Sequence, residues 1–293
     1  MKLHSISNKT MTLSVSEIGA AITELAYFDN LGNKVEILRG EPDAALKSHH
    51  DFNPLQCGMF PMVPFVNRIA GNCFELNGNR ISLPTHHLDD TFFLHGDGWI
   101  SNWDIEVSDD SIRCYLVSHI DGVCHYSACQ ELSLCDNVVT VKLTVKNLDK
   151  NIFPCGIGLH PYFKCEHNSL LSFNPDGVWL ELENHLPGEY LDTIPEHFSF
   201  HRKKVPDYWV NNCYKFNKEV TVDIVHPEGI KVSLSSDASY MMIFRPSSKE
   251  NYVCLEPQTQ MLDAHNSIGY PTLKLLESNA EISISLSIKV DEI

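Results

Sequence analysis

Arg68, His95, His160 and Glu256 are the residues of this 293-residue sequence whose chemistry and setting most suggest a site, because each puts a charged or titratable group in an apolar or aromatic stretch. Arg68 closes the run Met59-Phe60-Pro61-Met62-Val63-Pro64-Phe65-Val66-Asn67, where a guanidinium would present several donors in fixed geometry to ring and hydroxyl oxygens. His95 lies in Phe92-Phe93-Leu94-His95-Gly96-Asp97-Gly98-Trp99, with glycines that permit close backbone approach and rings that could stack on the apolar side of a sugar. His160 lies in Gly156-Ile157-Gly158-Leu159-His160-Pro161-Tyr162-Phe163, and the following proline biases it towards extended geometry at a strand end or turn. Either imidazole could donate or accept a proton near neutral pH. Glu256 follows the apolar run Tyr252-Val253-Cys254-Leu255. Burial would raise its pKa, a nearby arginine would lower it, and an ionised, oriented carboxylate is a competent general base. One cation, imidazoles and one carboxylate among aromatic rings suit proton transfer on a polar, neutral ligand such as a sugar.

Each residue also has a plainer reading. Arg68 could reach water or pair with a carboxylate, each histidine could be an ordinary surface or satisfied core residue, and Glu256 could be a structurally paired edge-strand charge. Metal ligands are conceivable in His86-His87 with Asp89 and Asp90, or in His119, His125 and Glu131. Neither grouping has the helical H-E-x-x-H spacing, so no metal is expected. No G-x-S-x-G elbow and no G-x-x-x-x-G-K-[ST] or G-x-G-x-x-G phosphate loop occurs, and no cofactor is expected.

The elements that must hold these side chains read as strands. Alternation of apolar and polar residues recurs almost end to end, as in Lys34 to Leu38, Val138 to Val145, Val220 to Val225 and Ala280 to Val290. Phe74-Glu75-Leu76 and Asn79 to Leu83 read as a hairpin, because Asn77-Gly78 tolerates the positive φ of a type I′ turn. Helical periodicity is weak, with short candidates at Glu41 to Leu46 and Thr193 to Phe198. The expected fold is all-β, a large antiparallel β-sandwich in one domain spanning residues 1–293, since no linker or repeat period interrupts the pattern. The segments His49 to Ile69 and His86 to Trp103 do not alternate and are the expected carriers of function.

Composition narrows the partners. With 22 basic against 38 acidic residues the formal charge is −16, which opposes nucleic acid and anionic membranes and favours a neutral small molecule. No signal-peptide run or stretch of about 18 apolar residues occurs, so a cytoplasmic protein is expected. The ten cysteines form no C-x-x-C pair and read as reduced, mostly buried side chains.

Taken together and in order, Asn67-Arg68-Ile69 with Gly71 and Phe74, Leu94-His95-Gly96 with Trp103, His160-Pro161-Tyr162-Phe163, and Glu256-x-Gln258 leading to Asp263-Ala264 and Asn266 resemble the aldose 1-epimerase (galactose mutarotase) family, in its less characterised aldose 1-epimerase-like branch. The resemblance covers most of the chain. It implies a galactose mutarotase-like supersandwich with a cofactor-free sugar site in an open cleft. It implies that Glu256 takes the proton from the anomeric hydroxyl while His160 protonates the ring oxygen. The ring opens, the bond between the first and second carbons rotates, and the roles reverse as the ring closes with inverted anomeric configuration. Such a scheme puts a base and an acid on opposite sides of one hemiacetal, with Arg68, His95, Asn67, Asn211 and Gln258 as substrate-binding residues.

This chain departs from the family pattern where an aspartate commonly precedes (His/Asn)-x-(Phe/Tyr), since it reads Asn211-Asn212-Cys213-Tyr214. It also has Asp97 where many mutarotases have glycine, and Pro257 after Glu256. A mutarotase acting on a free aldose, as monomer or homodimer, is the first expectation. A hexose-6-phosphate mutarotase and a non-catalytic sugar-binding protein on the same scaffold are the alternatives. A phosphorylated ligand would call for extra basic residues near Arg68, and an acid and base pair would be superfluous for binding alone.

Overall fold

The computed structural model describes residues 2–293 apart from Pro42, Ala45, Leu46, His49, His50, His87, Asp90, Ser248 and Tyr270. Two large antiparallel sheets dominate it. The nine-stranded sheet runs, in spatial order, through Lys203–Lys204, Leu170–Ser172, Val220–Val225, Ile230–Ser236, Glu281–Glu292, Val138–Asn147, Cys124–Cys135, Ser111–Ile120 and Asp104–Val107. The eight-stranded sheet runs through Pro187–Leu191, Gly177–Glu181, Val210–Lys215, Tyr240–Arg245, Tyr252–Gln258, Gly158–Leu159 and Pro61–Met62, with Tyr162–Lys164 also paired to Tyr252–Gln258. The first four strands, from Leu3–Ser7 to Lys34–Glu36, form a smaller sheet.

Alternation explains the layering. Val139, Val141, Leu143 and Val145 are buried, and so are Ile284, Leu286, Ile288 and Val290 on the neighbouring strand. From the other large sheet Val210, Tyr214, Met241, Ile243, Val253 and Leu255 enter the same core. Each large apolar side chain fully buried there contributes roughly 1.5–3 kcal/mol relative to exposure. On the site-bearing sheet the other face carries Tyr252, Cys254, Glu256 and Gln258, because side chains alternate along a strand. The sheet is therefore held by one face and leaves the other for chemistry.

The all-β sandwich expected from the sequence is the fold observed. The Phe74 hairpin is present, with Asn77 at φ 52° and Gly78 at φ 77°. The strand expected to reach Leu38 stops at Glu36, because the Ile37 and Leu38 amides both turn to Leu25 O and the ladder slips. Of the helical candidates, Thr193 to Phe198 contains only the short 3-10 turn Glu196–Phe198. Glu41 to Leu46 includes Pro42, Ala45 and Leu46, which lie outside the described residues. The ten cysteines are free thiols, seven of them buried. Among the described residues no helix is long and apolar enough to cross a membrane.

Candidate active site

Strand register makes the acid–base pair. Gly158 pairs with Gln258 and Tyr162 with Cys254, so the chain between them brings His160 opposite Glu256. The His160 Nε2 to Glu256 Oε1 distance is 3.3 Å, with side-chain exposures of 8% and 2%. The histidine ring stacks on Tyr162 and also packs against Phe60, each 4.6 Å away between ring centroids, and those two rings are 6.2 Å apart. Arg39 lies 3.9 Å over the Tyr162 ring, a cation–π contact beside the pair. The imidazole and the carboxyl thus sit side by side, 3.3 Å apart.

Burial controls the charge state of the pair. It pushes the Glu256 carboxyl up to about 8, and the Arg68 guanidinium pulls it part of the way back. It holds the His160 imidazole down at about 3, and the positive charges of Arg39 and Arg68 act in the same direction. The resting pair therefore carries a single proton near neutral pH, on the carboxyl, and a transfer across 3.3 Å gives carboxylate and imidazolium with the same proton count. Among the described residues His160 Nδ1 and Glu256 Oε2 have no hydrogen-bond partner although both are buried, so the pair can still take hydrogen bonds from outside.

The two non-alternating segments meet beside this pair. Asn67 N donates to His95 Nδ1 at 3.2 Å, and His95 N donates to Asn67 O at 3.1 Å. Both residues hold positive φ, 60° and 59°, a conformation tolerated by Asn and His but stabilised here by this reciprocal bonding. A β-carbon at Gly96 would collide with the Val63 carbonyl, so only glycine lets the segments approach. Because His95 Nδ1 accepts, its Nε2 carries the hydrogen. Burial and the neighbouring His160 hold the His95 imidazole well below its usual range, so it is a neutral donor at the pocket. Arg68 Nη1 donates to Asn67 Oδ1 at 3.4 Å, and the charges of Asp89, Glu256 and Glu181 partly offset its desolvation.

Asp97 leaves the pocket altogether. Its carboxylate accepts from Ser118 Oγ and Tyr126 OH, each at 2.5 Å, on the nine-stranded sheet. The acid that departs from the family pattern thereby ties the His95 loop to the opposite sheet.

His160, Glu256, Arg68, His95, Asn67 and Asn211 line one cavity of about 300 Å³, with Leu55, Tyr162, His185, Trp209, Phe244 and Tyr252 among the others. That is the small end of the roughly 300–1,000 Å³ typical of ligand sites. Gln258 is the exception among the expected site residues. It shares the Glu256 face but lies two residues deeper, fully buried, with Nε2 donating to Gln260 O at 2.7 Å, and it does not line the cavity. Its place is behind the wall rather than on it. The sequence reading missed Trp209, His185, Glu181 and Arg39. Trp209 alone carried a signal, since it precedes Asn211 by two residues and so shares its face.

Among the described residues one trio, His160, Cys254 and Glu256, brings potential metal-ligand atoms within 4.8 Å of one another. Cys254 is held as a thiol by burial and by the nearby Glu256 charge, which opposes the thiolate a metal needs. The groupings weighed from sequence do not assemble this way. Glu131 lies beside Arg113 at 3.8 Å, six residues along its strand from His125, while His119 meets Asp121 at 3.2 Å. His86 Nε2 is bonded to Leu94 O at 3.1 Å, and its proposed companions His87 and Asp90 lie outside the described residues.

Fold and site define a β-sandwich protein with a buried acid–base pair at the floor of a donor-lined cleft. The family model described as aldose 1-epimerase matches residues 2–289, and the chain belongs to that family. It is 28% identical over 302 residues to the uncharacterized protein YphB of Escherichia coli (strain K12), covering 99% of both chains. A solved structure from E. coli K12, provisionally described as an aldose 1-epimerase, superposes with a TM-score of 0.87 at 28% identity, covering 100% of this chain and 99% of that one. A galactose mutarotase-like protein from Clostridium acetobutylicum shares the fold, with a TM-score of 0.86 at 17% identity over 99% of this chain and 95% of that one.

Proposed function

We propose that this protein interconverts the α and β anomers of a free aldose by acid–base ring opening and closure. The observation that carries the reading is the His160 Nε2 to Glu256 Oε1 distance of 3.3 Å at the cavity floor. In a cyclic aldose the anomeric hydroxyl and the ring oxygen are bonded to the same carbon. An acid and a base that act on both must be neighbours, which is how this pair is built. Glu256 as carboxylate takes the hydroxyl proton and His160 as imidazolium protonates the ring oxygen, so the C1–ring oxygen bond breaks and the first carbon becomes an aldehyde. Rotation of that aldehyde and reversal of the two transfers returns the ring as the other anomer and leaves the pair with its original proton count. Arg68 and the Nε2–H of His95 supply donors to sugar oxygens, and burial keeps water from competing for them.

A purely binding role would leave a buried, partly unpaired acid–base pair without a use, since such groups are costly to bury. The test is polarimetry on freshly dissolved α-D-glucose and α-D-galactose. Enzyme should speed the decay of rotation, and His160→Ala and Glu256→Gln should each abolish the effect. Unchanged decay over a panel of aldoses at high enzyme concentration would refute catalysis.

A further inference from the structure

The side of the cavity lined by His185, Trp209 and Asn211 is organised by one carboxylate that does not itself line the cavity. Glu181 Oε1 accepts from Asn211 Nδ2 at 2.5 Å and from His185 Nδ1 at 2.5 Å, while Oε2 accepts from Trp209 Nε1 at 2.6 Å. All three donors belong to cavity-lining residues. Strand pairing explains the convergence. Trp179 pairs with Cys213, so two residues further along antiparallel neighbours Glu181 comes beside Asn211 on the same face.

The clamp assigns the amide of Asn211. A carboxylate only accepts, so the edge of Asn211 facing Glu181 is its NH₂, and Oδ1 is the edge left for the cleft. Next to it Trp209, 43% exposed, has its ring 5.5 Å from that of His185 at an interplanar angle of 30° and meets Phe244 edge-on at 5.3 Å. The wall thus offers a flat aromatic surface beside an uncharged acceptor, backed by a carboxylate.

We propose that Glu181 is a positioning residue that turns this wall into a subsite for the uncharged, hydroxyl-bearing end of an aldose. A hydroxyl of the sugar donates to Asn211 Oδ1, and an apolar face of the ring or its side chain packs on Trp209. The inference deepens the proposed mutarotase reading and rests on it. It also favours a neutral aldose over a phosphorylated hexose. Among the described residues that line the cavity Arg68 is the one lysine or arginine, and the Glu181 carboxylate opposes an anion at this wall.

The test separates this role from a merely structural one. Binding of neutral aldose and of hexose 6-phosphate is followed by tryptophan fluorescence, and turnover of the same sugars by polarimetry. Glu181→Gln should weaken aldose binding about tenfold, the scale of one lost hydrogen bond, and raise KM by the same factor with a smaller change in kcat. It should also narrow the preference for aldose over hexose 6-phosphate. Asn211→Asp alone should weaken binding, because it sets two carboxylates against each other. Combined with Glu181→Gln it should recover, because the new amide can donate to the new carboxylate. Unchanged binding, KM and sugar preference in Glu181→Gln, or no recovery in the double variant, overturns the proposal. If wild-type protein binds aldose without turning it over, the mutarotase reading fails while the titrations still judge the wall. If it binds no aldose, both fail.

Discussion

Two carboxylates on the same sheet face show how surroundings divide labour between identical groups. Glu256, 2% exposed, lies 3.3 Å from His160 and, among the described residues, its Oε2 has no hydrogen-bond partner. Glu181, with a side chain 20% exposed, accepts from three donors. A buried carboxylate with spare bonding capacity is poised to exchange a proton. A saturated one holds other groups still. On the proposed reading the floor of the cleft does the chemistry and the wall the recognition.

The sharpest break of this contrast is removal of the floor. His160→Ala or Glu256→Gln should lower kcat by roughly 10²–10⁴-fold, the usual contribution of general acid–base catalysis, whereas Glu181→Gln should act mainly on KM. A polarimetric assay that found all three equal would erase the distinction between floor and wall.

Stability against pH probes the same difference without substrate. The Glu256 carboxyl releases its proton at about 8 when folded against 4.5 for an ordinary glutamate, so the folded state binds the extra proton between those values. Stability from this group is therefore present at low pH and declines as pH rises through that window. Buried neutral His160, held at about 3 against 6.5, works in the opposite sense between its own two values. Glu256→Gln should gain on wild type by on the order of 3 kcal/mol between pH 5 and pH 8, at about 1.4 kcal/mol per pKa unit. Denaturant melts at the two pH values measure it, and parallel curves for the two proteins would contradict a protonated, buried Glu256.

Asp97→Ala should cost about 1–3 kcal/mol by leaving Ser118 and Tyr126 without their acceptor, and should raise KM through a loosened His95 loop. The smallest effect concerns the pH–rate profile. Activity should fall above about pH 8 as Glu256 and His160 lose their shared proton, and because Arg68 lowers the Glu256 pKa, Arg68→Met should move that falling limb to higher pH. A limb that stays in place, or moves down, would show that Arg68 does not act on Glu256.

Much of this molecule was readable from the chain. Alternation located the long strands, such as Val138–Asn147, because a strand with one buried face imposes a two-residue period on its own sequence. The apolar settings of Arg68, His95, His160 and Glu256 marked them as residues held out of water. Gln258 shares a face with Glu256, and that alone does not say which of the two lines the cavity. Glu181 gave no warning at all, since an acid at a strand end looks like any solvated charge until its three donors are brought to it.

The sequence by itself determined the all-β character, the faces of the strands and the identities of the titratable groups set in apolar stretches, since these depend on local period and side-chain chemistry. Only the tertiary structure decided that His160 stands beside Glu256, that His95 presents Nε2–H, and that Asn211 turns its amide nitrogen to Glu181. Those depend on register between strands distant in the chain, where a shift of a single residue would turn each side chain to the opposite face.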